Sequence, residues 1–253
     1  MKRIFIAAFS MLIASAASAQ ADSAALEKLR RESGVDPTRV QSRAGYSLLY
    51  QDQPGTKATI TNRLSLNLGV GRWALQVRTE AVTRTPEVPG QGFQSGFGDL
   101  RFNVLNAFFV KGKHALAANA EFYVPTGGTR YGVGYFSVTP AITYSYTIQP
   151  SLVLAVQPQY TFDISRDPLY PALSVITIRS FLAKFTESGY FFVIEPRPSF
   201  DLENHKNDFV LSPIVGKALG AGFNLIFLAE IAFTENRRNT WGHVYQIGFN
   251  KNF

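Results

Sequence analysis

Residues 58–81 read ATITNRLSLNLGVGRWALQVRTEA. Ala58, Ile60, Leu64, Leu66, Leu68 and Val70 share one parity, and Thr59, Thr61, Arg63, Ser65, Asn67 and Gly69 share the other. After Gly71 and Arg72 the alternation resumes: Trp73, Leu75, Val77, Thr79 and Ala81 against Ala74, Gln76, Arg78 and Glu80. A period of two marks a β-strand, because successive side chains point to opposite faces. Two such runs across a glycine turn predict a hairpin. Its strands exceed the usual globular length of about five or six residues. They match the roughly 9–11 residues with which a tilted strand crosses a bilayer.

The same alternation recurs from Val40 to the end of the chain. Val40, Ala44, Tyr46, Leu48 and Tyr50 form one apolar set, and Leu116, Ala118, Ala120, Phe122 and Val124 another. The stretch 173–184 keeps the period least well. Short turns at 69–72, 111–113, 149–150, 187–189 and 219–222 alternate with longer polar loops at 51–57, 85–96, 125–135, 165–171, 201–208 and 234–240. The fold predicted is all-β: an up-and-down antiparallel transmembrane β-barrel of about twelve strands, preceded by a short N-terminal helix. An even strand number returns both ends of the barrel to the short-turn side.

A soluble β-sandwich would alternate as well. Strand length argues against it, and so does the polar face, which carries Ser, Thr, Asn, Gln, Gly, Arg and Glu rather than solvated Lys and Glu. The apolar face also gathers aromatics near strand ends, with Trp73, Phe108, Tyr146, Tyr190 and Phe223 at the turn side and Tyr50, Phe122, Phe162, Phe200 and Trp241 at the loop side. Two such girdles belong at membrane interfaces.

Residues 1–19 have the form of a signal peptide: a basic Met1-Lys2-Arg3, an apolar run over 4–13, and Ala17-Ser18-Ala19 ahead of Gln20. The apolar run is too short for a membrane-spanning helix, which takes about 20 residues. In 20–38, a helix is expected over 22–32, capped by Asp22 or Ser23 and ended by Gly34 and Pro37. It either enters the barrel as a plug or lies below it. The barrel then occupies 39–253. At its end Tyr245, Ile247, Phe249 and Phe253 share one parity. A last strand built this way is expected to zip against the first, since an open edge in hydrocarbon leaves backbone groups unsatisfied. The pattern also resembles the C-terminal signal of bacterial outer-membrane proteins. That resemblance implies the barrel-assembly machinery as a partner and a Gram-negative outer membrane as the location.

The net charge is +7, or about +5 once Lys2 and Arg3 are removed, and the charges are dispersed. Nothing in that distribution points to nucleic acid. The absence of Cys excludes disulfides and thiolate chemistry. His114 and His243 fall on the outward parity, and His205 lies in a loop. Neither outward His is followed two residues later by the Ser that outer-membrane lipid hydrolases use; Leu116 and Tyr245 stand there instead. No catalytic residue, cofactor or metal site is expected. The informative set is inward. Arg63, Arg78, Arg101, Arg179 and Arg197 share the polar face with Glu80, Asp99, Glu121, Glu195 and Glu230. These ten are the candidate pore-lining residues, with Arg43 and Arg84 on the same side. They either brace a filled barrel as ion-pair ladders, or leave a narrow Arg-rich pore favouring anionic or polar solutes.

Ser95-Gly96-Phe97-Gly98-Asp99-Leu100 precedes a strand, a short turn and a second strand ending in Val124-Pro125-Thr126-Gly127-Gly128. This pairing resembles the bacterial family named for the MetA-pathway of phenol degradation, whose members carry G-x-G-D-L and then P-T-G. The resemblance implies an outer-membrane channel, with aromatic or other hydrophobic small molecules among the expected solutes. A non-conducting structural or adhesive barrel and a lipid-modifying enzyme are the rival readings.

Overall fold

The computed structural model describes residues 23–36, 38–54, 57–86 and 92–253. The expected signal peptide and its cleavage point lie outside them. Helix α1 (Ser23–Ser33) precedes strands β1 (Arg43–Gln53), β2 (Lys57–Val70), β3 (Trp73–Arg84) and the short β4 (Gln94–Phe97). Next come β5 (Leu100–Lys111), β6 (His114–Val124) and a single helical turn, α2 (Gly128–Tyr131). The second half holds β7 (Tyr135–Gln149), β8 (Leu152–Arg166), β9 (Ser174–Phe185), β10 (Tyr190–Asp201), β11 (Lys206–Gly220), β12 (Phe223–Ala232), α3 (Glu235–Thr240) and β13 (His243–Asn252).

Twelve antiparallel strands close on themselves. β1 pairs with β2 on one side and with β13 on the other, from Arg43↔Asn252 to Asp52↔His243, so the last strand does zip against the first. The thirteenth strand, β4, falls in the segment expected to be a loop over 85–96. β5 follows β3 only as far as Arg78↔Arg101, and the outer end of β3 would otherwise be an open edge. Gln94–Phe97 covers that edge, from Ala81↔Phe97 to Arg84↔Gln94. β4 and β5 are thus two parts of one line of chain, broken at Gly98-Asp99. α2 and α3 likewise sit in the expected loops 125–135 and 234–240.

The apolar parity faces outward. Leu64, Leu66 and Leu68 are 56%, 60% and 63% exposed, the opposite of what a sandwich core would give them. No described helix is long and apolar enough to cross a membrane. Near the turn end, Lys217 Nζ sits 3.9 Å from the Tyr190 ring centroid and Lys251 Nζ 4.3 Å from that of Phe223. Such pairs keep a charged head at the interface while the stem covers apolar surface.

One sector breaks the alternation, and it decides where the helix goes. On β8, β9 and β10 the inward positions Val153, Ala155, Phe181, Ala183, Phe185, Phe191 and Val193 are apolar too, and all are buried. Leu26 and Leu29, three apart and hence on one helix face, pack into this patch. α1 therefore packs against the inner wall of the barrel. Each buried leucine contributes about 1.5–3 kcal/mol of transfer free energy. Arg30 follows them inward. Its Nε donates to Asp36 Oδ2 at 2.5 Å, Nη1 to Thr147 at 2.6 Å and Nη2 to Ser145 at 3.1 Å, so the buried guanidinium is paired and bonded to the wall.

The seat has room because Gly216, inward on β11, has no side chain: a Cβ there would come within 2.0 Å of the Phe191 ring. Gly216→Ala is expected to destabilise the barrel by about 1–3 kcal/mol through overpacking. It should lower the temperature at which the folded, fast-migrating form is lost on a detergent gel; an unchanged temperature would mean that Phe191 moves aside freely.

Candidate functional site

The inward charges assemble into two arcs on opposite sides of the ring. The first comes from β2, β3, β5 and β6. Arg63 Nε meets Glu80 Oε1 at 2.7 Å, and Arg101 reaches the same oxygen at 3.4 Å. Arg101 and Arg78 approach Glu121 at 3.9 and 3.8 Å. The Arg101 guanidinium also lies 4.1 Å from the Tyr123 ring centroid. The second arc comes from β9, β10, β12 and α3. Glu195, nearly inaccessible, is shared by Arg179 at 2.6 Å and Arg197 at 3.6 Å. Arg197 continues to Glu230 at 2.5 Å, and Arg237 of α3 reaches that carboxylate at 3.9 Å. Each arc holds three guanidiniums against two carboxylates, a surplus of one positive charge. Arg suits this duty because its planar fork can serve two acceptors while staying charged.

Neutral amides extend the second arc toward the first. Asn119 donates to Asn103 at 3.0 Å, and Gln157 donates to Asn119 at 3.2 Å and to Thr143 at 2.9 Å. Arg179 closes the chain by donating to Gln157 at 3.4 Å. Nine of the ten candidate pore-lining residues fall into the two arcs. Asp99 does not. Among the network's further members are Arg237, Gln157, Asn119 and Asn103. The three amides were available in the sequence as inward-parity polar residues, whereas Arg237 lies in a loop where parity gives no signal. Burial pulls the Arg237 guanidinium below its ordinary pKa, and Glu230 opposes that shift.

Asp99 sits at the loop end, where the two sequence motifs meet. Its Oδ1 accepts the Gly127 N–H at 3.0 Å and its Oδ2 the Val133 N–H at 2.7 Å, straddling α2. Thr126 Oγ1 donates to the Gly98 carbonyl at 3.1 Å and accepts the Leu100 N–H at 3.0 Å. The glycines are spacers: a Cβ on Gly132 would come within 2.2 Å of Asp99 Oδ1, and one on Gly96 within 2.3 Å of the Tyr131 ring. Asp99 has the inward parity, and this staple ties the 125–134 loop to the break between β4 and β5. Arg84, also inward, donates to the Arg130 carbonyl at 2.7 Å and ties the loop from the other side.

Beside α1 a cavity of about 350 Å³ remains, between the 34–41 segment and the inner faces of β1, β2, β3, β5, β12 and β13. Arg39, Arg43, Arg63 and Arg78 line it, with Asn67, Gln76 and Asn103. Among the described residues no His, Cys, Asp or Glu cluster could hold a metal ion. His114 is on the outer surface, its Nδ1 2.7 Å from the Tyr144 hydroxyl, and His243 Nδ1 accepts the Ala232 N–H at 3.2 Å. The partner of His114 is thus a phenol and that of His243 a backbone amide.

The model of the family described as the MetA-pathway of phenol degradation matches residues 31–243. Comparison with curated proteins finds no match. Among solved structures, the COG4313 outer membrane channel from Pseudomonas putida F1 superposes with a TM-score of 0.64 at 12% identity, covering 85% of this chain and 96% of that one. The NanC porin gives 0.63 at 11% identity, covering 83% and 100%, and the KdgM porin gives 0.61 at 8%, covering 83% and 99%. At these identities the likeness is one of fold.

Proposed function

The chain belongs to the MetA-pathway of phenol degradation family, and from that premise we propose that it is a passive channel of the Gram-negative outer membrane, letting small solutes through a plugged, narrow lumen. The turn side, with both barrel ends, faces the periplasm, and the long loops face outward. One observation carries the reading: a closed barrel keeps a polar cavity of about 350 Å³ beside α1, lined by arginines and amides. A lumen meant only as a brace has no use for such a space. Twelve strands also stand between side-chain-filled eight-stranded barrels and wide sixteen-stranded porins. Aromatic compounds are the solute class that the family description points to. No catalytic role is assigned, and the terminal Tyr245, Ile247, Phe249 and Phe253 set is taken as the handle for the barrel-assembly machinery.

Purified protein in planar bilayers is expected to give small, discrete current steps, and liposomes carrying it should swell in small polar solutes but not in large sugars. A bilayer that stays silent through many insertions would favour the braced, non-conducting barrel, which the charge arcs and the seated helix would also suit.

A further inference from the structure

The charges facing the cavity are unequal. Arg39, Arg43, Arg63 and Arg78 line it, and Asp36 is the one carboxylate among its lining residues. Asp36 is already engaged: Oδ2 accepts Arg30 Nε at 2.5 Å, while Oδ1 accepts the Thr38 N–H at 2.9 Å and the Thr38 hydroxyl at 2.7 Å. Glu27, Glu80 and Glu121 pair with Arg39, Arg63 and Arg78 but are not part of the cavity wall. Arg43 is held by neutral acceptors: Asn252 Oδ1 at 2.8 Å and the carbonyls of Arg31 and Glu32 at 3.2 and 3.1 Å. Among the described residues no carboxylate pairs with it directly, and Glu32 acts on it only from a distance. Part of the wall is apolar, where Val40 packs on Ala74 and Leu105.

A guanidinium without a fixed counter-ion, beside a small apolar patch, suits a solute with a planar anionic head and a flat greasy body. The volume is at the lower end of ligand pockets, about 300–1,000 Å³, which limits the body to one ring. Deepening the channel reading, and resting on it, we propose that this cavity is a transit site for single-ring aromatic carboxylates, so that the lumen passes anions in preference to cations. The carboxylate meets Arg43 and its neighbours while the ring lies against Val40, Ala74 and Leu105. Amide side chains around the rest keep the site weak enough to release what it binds.

Two measurements on the wild-type protein test this. In planar bilayers under a potassium chloride gradient, the reversal potential is expected to show chloride favoured over potassium by about threefold or more. In detergent, benzoate is expected to raise the unfolding temperature above a sodium chloride control of equal ionic strength, and benzyl alcohol is not. Arg43→Gln should move the permeability ratio toward unity and abolish the benzoate effect. Discrete currents that are cation-selective or unselective would overturn the inference and leave the channel standing. A silent bilayer would overturn the channel, and the benzoate shift would still decide the site: no shift beyond the salt control, or an equal shift with benzyl alcohol, removes it.

Discussion

Changing Leu26 and Leu29 together to aspartate is expected to raise single-channel conductance severalfold. Both side chains are buried against Phe181, Phe191 and their neighbours, and together they hold the apolar face of α1 to the wall. Removing the methyl groups of one buried leucine costs about 2–5 kcal/mol. Setting a carboxylate in the same apolar seat adds several kcal/mol more unless it takes up a proton. Inverting a 99:1 equilibrium takes about 5.5 kcal/mol, and the double change exceeds that. The helix then leaves the lumen, while the strand ladders that make the barrel are untouched and the folded form should survive on detergent gels. Ala25→Asp, on the exposed side of the same helix, serves as the control and should leave conductance as it was. Equal conductance in all three proteins would mean that α1 does not obstruct the path.

The second large effect is expected at the loop end. Asp99→Ala removes two charge-assisted hydrogen bonds, to the N–H groups of Gly127 and Val133. Hydrogen bonds to charged groups are worth about 1.5–3 kcal/mol each, so the local loss is about 3–6 kcal/mol. What then remains is Arg84 on the Arg130 carbonyl, the Thr126 bonds at the loop's start and the Asp167 N–H on the Gly134 carbonyl at its end, which leave the middle of the loop weakly held. The 125–134 loop should become a substrate for limited proteolysis at a rate many times that of the wild type, and bilayer currents should flicker. Asp99→Asn keeps an acceptor for one N–H only and should fall between the two. A loop as protease-resistant in Asp99→Ala as in the wild type would show that other contacts hold it in place.

The barrel was legible because lipid enforces parity. A lipid-facing polar residue is costly, so the outward set from Ile60 to Ile247 is mostly apolar and the strands declare themselves. The same rule picked out ten candidate charged residues, of which nine fall in the two ion-pair arcs. Parity is silent about depth and about loops, and the misses lie there. Asp99 has the right face but sits at the mouth, where the chain breaks between β4 and β5 and its carboxylate serves backbone N–H groups. Arg237 reaches inward from α3, outside any strand. The fate of α1 was open because a short amphipathic helix looks the same in a lumen and below it. The answer lay in residues whose alternation is degraded: Phe181, Ala183 and Phe185 fall in or beside the irregular stretch 173–184, and Phe191 and Val193 face inward between the outward Phe192 and Ile194. Apolar residues on both faces of a membrane strand need a second apolar partner, and on the inner side only another part of the protein can provide it.

The docking of Arg30 also fixes an order of events. Its partners Ser145 and Thr147 lie 115 and 117 positions further along the chain, and the patch that receives Leu26 and Leu29 is contributed by strands formed later still. No pocket for the helix exists until those hairpins have registered, and contacts this distant in sequence are the slowest to form. A segment that precedes the barrel in the chain is thus the last to settle, waiting unseated while the cylinder assembles around the space it will occupy.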